Sequence, residues 1–323
     1  MKEERQLLRL TQEDFEDAFG EPLDQLTREE ISSHDFTLEQ IVGASRDSLI
    51  IEILEKIRHD KQIVGDPSRE AVWEIGWREN YDGFIGNGDV EELVPKFIRP
   101  GQPIRWQGQF FLPVNPNFEE SFTRVLRTFI FGKIARELGD REAVHLYEFG
   151  AGTGWNLLHA HHFLQSIGRV HKLVGSDFAD SAVELMNDLA RKQNVPLSAW
   201  NFDMRRPDFS REFENPGVSG VFTLGALEQL AGEVEAMIDY LVDQKPCVVI
   251  HVEPAIENYE VSRLEDYLAH WFQGNRGYSS GLEALLKTKE AERKLDLLRT
   301  KRIGFGSKMM EGYNFFMWRP RES

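Results

Sequence analysis

The sequence predicts an α/β protein: a doubly wound, mostly parallel seven-stranded sheet closing on an antiparallel C-terminal strand pair, preceded by a mainly helical N-terminal domain. Three observations predict it. From Val144 onward, short apolar runs alternate with stretches of helical period, the pattern of a parallel sheet covered on both faces by helices. The first run breaks into glycines on alternate positions, Gly150, Gly152 and Gly154, a strand–turn–helix that lets backbone pass close to a ligand. The last two runs, 294–304 and 313–318, have no helix between them and should pair antiparallel. The expected division is a helical substrate or lid domain at 1–140 and a ligand-binding domain at 141–323.

Composition narrows the function classes. Of 323 residues, 41% are hydrophobic, with 22 Phe and 7 Trp, enough for a sizeable core. A single cysteine, Cys247, excludes an intrachain disulfide and a cysteine-rich zinc site. The opening MKEERQLLRL lacks the apolar stretch of a secretion signal, and no run approaches a membrane span. The expectation is a soluble cytoplasmic protein with no membrane partner. Net charge is −16, and residues 1–140 carry most of it: 28 acidic against 17 basic side chains, −11, with −5 in the rest. Such a chain repels a polyanion, which argues against nucleic acid. Most of the excess carboxylates serve to solvate the surface.

Residues 1–140 show no alternating pattern of any length and several helix starts. Thr11-Gln-Glu-Asp14 and Thr37-Leu-Glu-Gln40 have the spacing of capping boxes. Residues 48–61 place Leu49, Ile50, Ile53, Leu54 and Ile57 on one helical face. Pro67-Ser68 opens a helix in which Trp73, Trp77 and Tyr81 stand at i, i+4 and i+8; the stripe is either a face packed on the core or the aromatic wall of a pocket. Residues 89–117 hold five prolines interleaved with Phe97, Trp106, Phe110 and Phe111, which predicts an ordered loop or short hairpin. Residues 118–138 return to helix.

The second half then reads strand 144–149, helix 155–167, strand 171–177, helix 180–193, strand 197–202, strand 219–224, helix 230–243 and strand 247–252. In a doubly wound sheet the ligand lies across the carboxyl ends of the strands. The first strand ends in Glu148-Phe-Gly-Ala-Gly-Thr-Gly154. Trp155 stands where a dinucleotide fingerprint needs its third glycine, and Glu148 suits a ligand with a positive charge better than a pyrophosphate. Asp177 ends the second strand, followed by Phe178, at the distance from the glycines where an acidic residue accepts both ribose hydroxyls. Asp180, just before the next helix, is the better cap.

Glu148 to Gly154 resembles motif I of the class I S-adenosylmethionine-dependent methyltransferases, small-molecule type. The resemblance implies that Asp203 accepts the adenine amino group with Phe202 against the ring. It also implies that Glu148 and Glu228 lie near the methionine end of S-adenosyl-L-methionine. The run Phe222-Thr-Leu-Gly-Ala-Leu-Glu228-Gln229 is similar to an "LGxLEH" pattern of that family, with Gln229 in place of its histidine; an amide positions a group but accepts no proton.

Two residues apart on one strand, His251 and Glu253 face the same side. If that side is the cleft, they form a base and its orienter, or two thirds of a metal site; no metal is predicted. The reading is O-methylation of a sugar or secondary-metabolite hydroxyl, with His251 as general base. Trp73, Trp77, Arg105, Trp106 and Gln229 are the candidates to face the substrate, and residues 271–280 to close the other side. The alternatives are N-methylation of a small amine, a catalytically silent cofactor-binding partner protein, and NAD binding. The sequence leaves a homodimer open.

Overall fold

The computed structural model describes residues 6–96, 100–141 and 143–321; Phe97 lies outside them. The N-terminal half runs β1 (Leu7–Arg9), α1 (Gln12–Phe19), α2 (Gln25–Ser32), β2 (Thr37–Gln40), α3 (Gly43–His59), α4 (Pro67–Asn87), β3 (Ile104–Trp106), β4 (Gln109–Pro113) and α5 (Phe118–Glu137). Thr11 caps α1 as its spacing predicts: its hydroxyl accepts from Asp14 N, and the Asp14 carboxylate accepts from Thr11 N at 2.7 Å. The second expected box is a strand instead. Thr37 Oγ1 donates back to Asp35 at 2.6 Å, and Leu38 pairs with Leu8 on one side and Pro113 on the other. Strands of three to five residues are too short to show a period of two. The proline-rich stretch contains a hairpin, β3 against β4.

The second half runs β5 (Ala143–Phe149), α6 (Trp155–Ser166), β6 (Val170–Asp177), α7 (Asp180–Gln193), β7 (Leu197–Asn201), β8 (Ser219–Leu224), α8 (Glu235–Gln244), β9 (Val248–Glu253), α9 (Leu264–Arg276), α10 (Leu282–Ala291), β10 (Leu295–Arg302), β11 (Phe305–Ser307) and β12 (Asn314–Pro320). The large sheet has the order β10-β12-β9-β8-β5-β6-β7. Strands β5 to β9 are parallel; β12 is antiparallel to both β9 and β10. Asp180 is the first residue of α7 rather than its cap, and its carboxylate accepts from Asn201 Nδ2 at 2.7 Å.

Two features tie the halves together. Strand β11 leaves the large sheet and completes a second one, ordered β1-β2-β4-β3-β11, with Gly306 opposite Arg105. Helix α5 lies directly on the large sheet: a Cβ on Gly220 of β8 would stand 2.3 Å from Ile134 Cγ2. Its buried Phe122, Phe129 and Ile130 join Val144, Leu146 and Phe315 in one core. Among the described residues no helix is long and apolar enough to cross a membrane.

Candidate active site

The turn after β5 is pinned to β6, because Gly150 N and Ala151 N both donate to Ser176 O at 2.9 Å. Its glycines are required by crowding as well as by conformation. Gly152 has φ +53°, and a Cβ there would lie 2.8 Å from Trp77 Cζ2; one on Gly150 would lie 2.4 Å from Ala226 Cβ. Asp177 is buried, and burial pushes its carboxyl up to about 6 against the hydrogen bonds that stabilise its charge. Its two oxygens accept from Gly152 N and Ala179 N, each at 3.0 Å, so one side chain holds the glycine turn and the start of α7 together.

Gly150, Asp177, Phe178, Phe202, Asp203 and Gln229 line one cavity of about 100 Å³. Trp73 and Trp77 of α4 line it too, their rings stacked with centroids 5.5 Å apart. Two of the stripe's three rings therefore wall a pocket, while Tyr81 packs against the core and donates to Asp188 at 3.2 Å. The cavity is well below the 300–1,000 Å³ typical of ligand sites, because α4 lies across it. Asp203 is paired with Arg205 at 2.9 Å, and Arg205 reaches on to Glu70 of α4 at 2.7 Å.

Beyond the glycine turn, towards β8 and β9, the site is built of carboxyls. Glu148 is 1% exposed. Its Oε1 accepts from Asn156 Nδ2 at 2.7 Å, its Oε2 has no partner, and burial pushes it up to about 8. Glu228, on the loop after β8, accepts from Gln229 Nε2 at 2.9 Å; its Oε2 is sealed without a partner. Burial, then the neighbouring Glu253 charge, pushes it up to about 8. Glu119 in the first turn of α5 is pushed up to about 7 by burial and by Glu120. Tyr313 stands among these groups, its hydroxyl raised by burial and then by the Glu119 charge.

Neither half of the predicted catalytic pair lines the cavity. His251 is fully buried in the sheet, its Nδ1 2.9 Å from Thr223 Oγ1 and its ring beside Trp318. Burial pushes it down to about 3, which favours the neutral imidazole. Glu253 shares its side and one partner, the Thr223 hydroxyl. It accepts from Thr223 Oγ1 at 2.7 Å, Ala226 N at 3.1 Å and Glu228 N at 3.3 Å, and so shapes the loop that carries Glu228. Two substrate candidates also move into the core. Arg105 is fully buried, donates to Glu265 O and lies over the Phe110 ring; Trp106 packs on Phe15 and Phe122. The 271–280 stretch does reach the site, since Ser279 N donates to Glu228 O at 3.0 Å. Among the described residues no group of three or more His, Cys, Asp or Glu is placed to hold a metal.

The sequence reading passed over Glu119, Asn156, Arg127 and Tyr313. Arg127 donates to Asn156 Oδ1 at 3.2 Å and pairs with Glu120, which also accepts from Trp155 Nε1 at 3.2 Å. The one signal for this group was Trp155 in a glycine's place.

Counted by position along the chain, the large sheet has the order 3-2-1-4-5-7-6 with its last-formed strand antiparallel, which is the class I methyltransferase fold. Neither a family profile nor a curated protein sequence matches the chain. Solved structures similar to it include an S-adenosylmethionine-dependent methyltransferase from Aquifex aeolicus: 14% identity, 61% of this chain and 92% of that one covered, TM-score 0.42. Two others are the [4+2]-cyclase SpnF (12%, 77% and 96%, 0.47) and geranyl diphosphate C-methyltransferase from Streptomyces coelicolor A3(2) (11%, 76% and 98%, 0.45). Likeness at this level says nothing about chemistry, which the residues of the site have to supply.

Proposed function

We propose that the protein is an S-adenosylmethionine-dependent methyltransferase acting on a small molecule. One observation carries the reading. Asp177, Phe202 and Asp203 meet the Gly150–Gly154 turn at the carboxyl ends of adjacent strands, and Glu148, just before the turn, keeps one oxygen without a donor. Strand order then gives ligand order. Over β7, Phe202 and Asp203 hold the adenine; over β6, Asp177 takes the ribose hydroxyls; over β5, the turn and Glu148 take the methionine end. On this reading an acceptor would approach from the side of β8 and β9.

When bound, the cofactor supplies an electrophilic methyl on a sulfonium. The protein's part is alignment and exclusion of water, and alignment of this kind is worth about 7–11 kcal/mol at its best. Trp73 and Trp77 would roof the nucleoside, and the loop shaped by Glu253 carries Glu228 at the end of β8. A hydroxyl acceptor, such as a sugar, needs a base here; with His251 inside the sheet, Glu119 and Glu228 are the near-neutral carboxyls at that end.

Calorimetric titration with S-adenosylhomocysteine tests the binding, and transfer of labelled methyl to a panel of metabolites tests the catalysis. Saturable binding that Asp177→Ala destroys is the expected result. Stabilisation by NAD and not by S-adenosylhomocysteine overturns the reading. Binding without transfer to any acceptor would make the chain a silent cofactor-binding partner.

A further inference from the structure

The cavity beneath α4, about 100 Å³, is smaller than a nucleoside-sized ligand needs. For such a ligand to enter, one wall must move, and the walls are not equally held. The floor is fixed by backbone. Strands β5, β6 and β7 are paired, Gly150 N and Ala151 N donate to Ser176 O, and Phe202 N donates to Asp177 O, all three bonds at 2.9 Å. On the opposite side Gly225 N donates to Val252 O, also at 2.9 Å.

Helix α4 is held mainly from Glu74 onward. Glu74 Oε2 accepts from Ser181 N at 3.1 Å, and Ser181 Oγ donates back to Glu74 O at 2.9 Å. Arg78 pairs with Glu184 at 2.7 Å, Asn80 donates to Val94 O at 3.0 Å, and Tyr81 donates to Asp188 at 3.2 Å. Asn80 and Phe84 are buried. The stretch before Glu74 differs. It is pinned at Val64, whose N donates to Arg276 O at 2.7 Å, and Gly65 follows in the left-handed region with φ +82°. Among the described side chains of residues 65–73 none is buried. Glu70 ties this stretch to another element through Arg205 at 2.7 Å. Low burial places a segment at the low-stability end of local opening.

Arg205 is planted in the nucleoside wall. Its Nε donates to Asp203 Oδ1 and its Nη2 to Asp203 Oδ2, each at 2.9 Å, and its guanidinium lies 5.9 Å from the centre of the Phe178 ring. The same Nη2 reaches Glu70. A base seated against Asp203 therefore meets the arm that holds α4 down.

We propose that residues 65–73 form a flap over the cofactor pocket and that Arg205 is its latch, a positioning residue that ties closure to the nucleoside site. The proposal rests on the methyltransferase reading above, and it narrows the expected lid from residues 1–140 to the start of one helix. The flap lifts about Gly65, Trp73 parts from Trp77, the nucleoside enters, and Glu70 returns to Arg205 across it. The latching pair is exposed, with 26% of the Arg205 side chain and 49% of the Glu70 side chain accessible. A pair of that kind biases the flap without locking it.

The test uses the full chain. Hydrogen exchange of the protein alone comes first. Amides 70–73 should exchange about two- to fivefold faster in Glu70→Gln than in wild type, with amides 80–87 unchanged. Stopped-flow tryptophan fluorescence then follows binding of S-adenosylhomocysteine. The observed rate should level off as concentration rises, because the flap must lift first, and the plateau should rise about two- to fivefold in Glu70→Gln. Sodium chloride at about 0.5 M should do the same to wild type and little to the variant. In an Arg205→Gln background Glu70→Gln should change nothing further, an outcome that a purely local role of Glu70 in its helix would not produce. No binding of S-adenosylhomocysteine sinks the methyltransferase reading, while hydrogen exchange, which needs no ligand, still decides the flap. Exchange and association both unchanged in Glu70→Gln, or the same change in the Arg205→Gln background, overturn the proposal.

Discussion

The two ends of the groove differ in how their charges are satisfied. At the nucleoside end every carboxylate is occupied by the protein: Asp177 by two backbone N–H groups, Asp203 by Arg205. Towards β8 and β9, Glu148 and Glu228 each keep one buried oxygen without a donor. The first end is preorganised for a ligand rich in hydroxyl and amino donors, which adds hydrogen bonds to oxygens already fixed in place. The second keeps buried carboxyl oxygens unsatisfied, at a cost to stability.

The sharpest way to break the contrast is at Asp177. Asp177→Ala releases the glycine turn and the α7 start together, and should weaken S-adenosylhomocysteine about a hundredfold or more by calorimetry. Gly152→Ala comes next. The left-handed φ and the contact with Trp77 should together cost about 1–3 kcal/mol of stability, with cofactor binding reduced about tenfold. Adding Trp77→Ala should recover part of that loss, because it removes the contact and leaves the strain; no recovery would mean that α4 does not roof the turn.

At the acceptor end the sign reverses. Glu228→Gln should raise the melting temperature of the ligand-free protein, by about 1–3 kcal/mol in stability terms. The pH dependence follows from the same carboxyls. Glu148 and Glu228 are raised from 4.5 to about 8, so the folded state holds protons the unfolded chain has lost. Their contribution is fully present below pH 4.5 and is lost as pH rises through about 8. His251, pushed down to about 3, acts oppositely but only below pH 6.5, and Lys133, at about 8, only above pH 8. Between pH 7 and 8 the ligand-free protein should therefore lose stability as pH rises, and the double variant Glu148→Gln/Glu228→Gln should flatten the slope. The smallest effect is expected at His251: His251→Asn should lower stability while leaving kcat within about threefold and the pH profile of kcat unchanged.

Much of the nucleoside end was legible in the sequence, because strand ends are fixed by local pattern. A run of four to eight apolar residues followed by glycines or an acid places Gly150, Asp177 and Asp203 without knowledge of the rest of the fold. The other end was not, since it is assembled from distant segments: Glu119 is brought near Tyr313 by α5, and Tyr313 by insertion of the last strand between two others. His251 shows the limit of a period-two argument. Alternation puts His251 and Glu253 on one side, and Thr223 contacts both, but alternation does not say that one points to the groove's loop and the other into the sheet. The short strands β1 to β4 and the detour of β11 were invisible for a related reason, being too brief for any period to register.

The most direct test of the central claim is a crystal structure with S-adenosylhomocysteine bound. The account predicts adenine against Phe202 under Trp73 and Trp77, ribose hydroxyls on Asp177, and the sulfur beyond Gly150 with Glu228 and Tyr313 on its open side. A nucleoside lying towards β8, or a ligand that leaves Asp177 untouched, would contradict it.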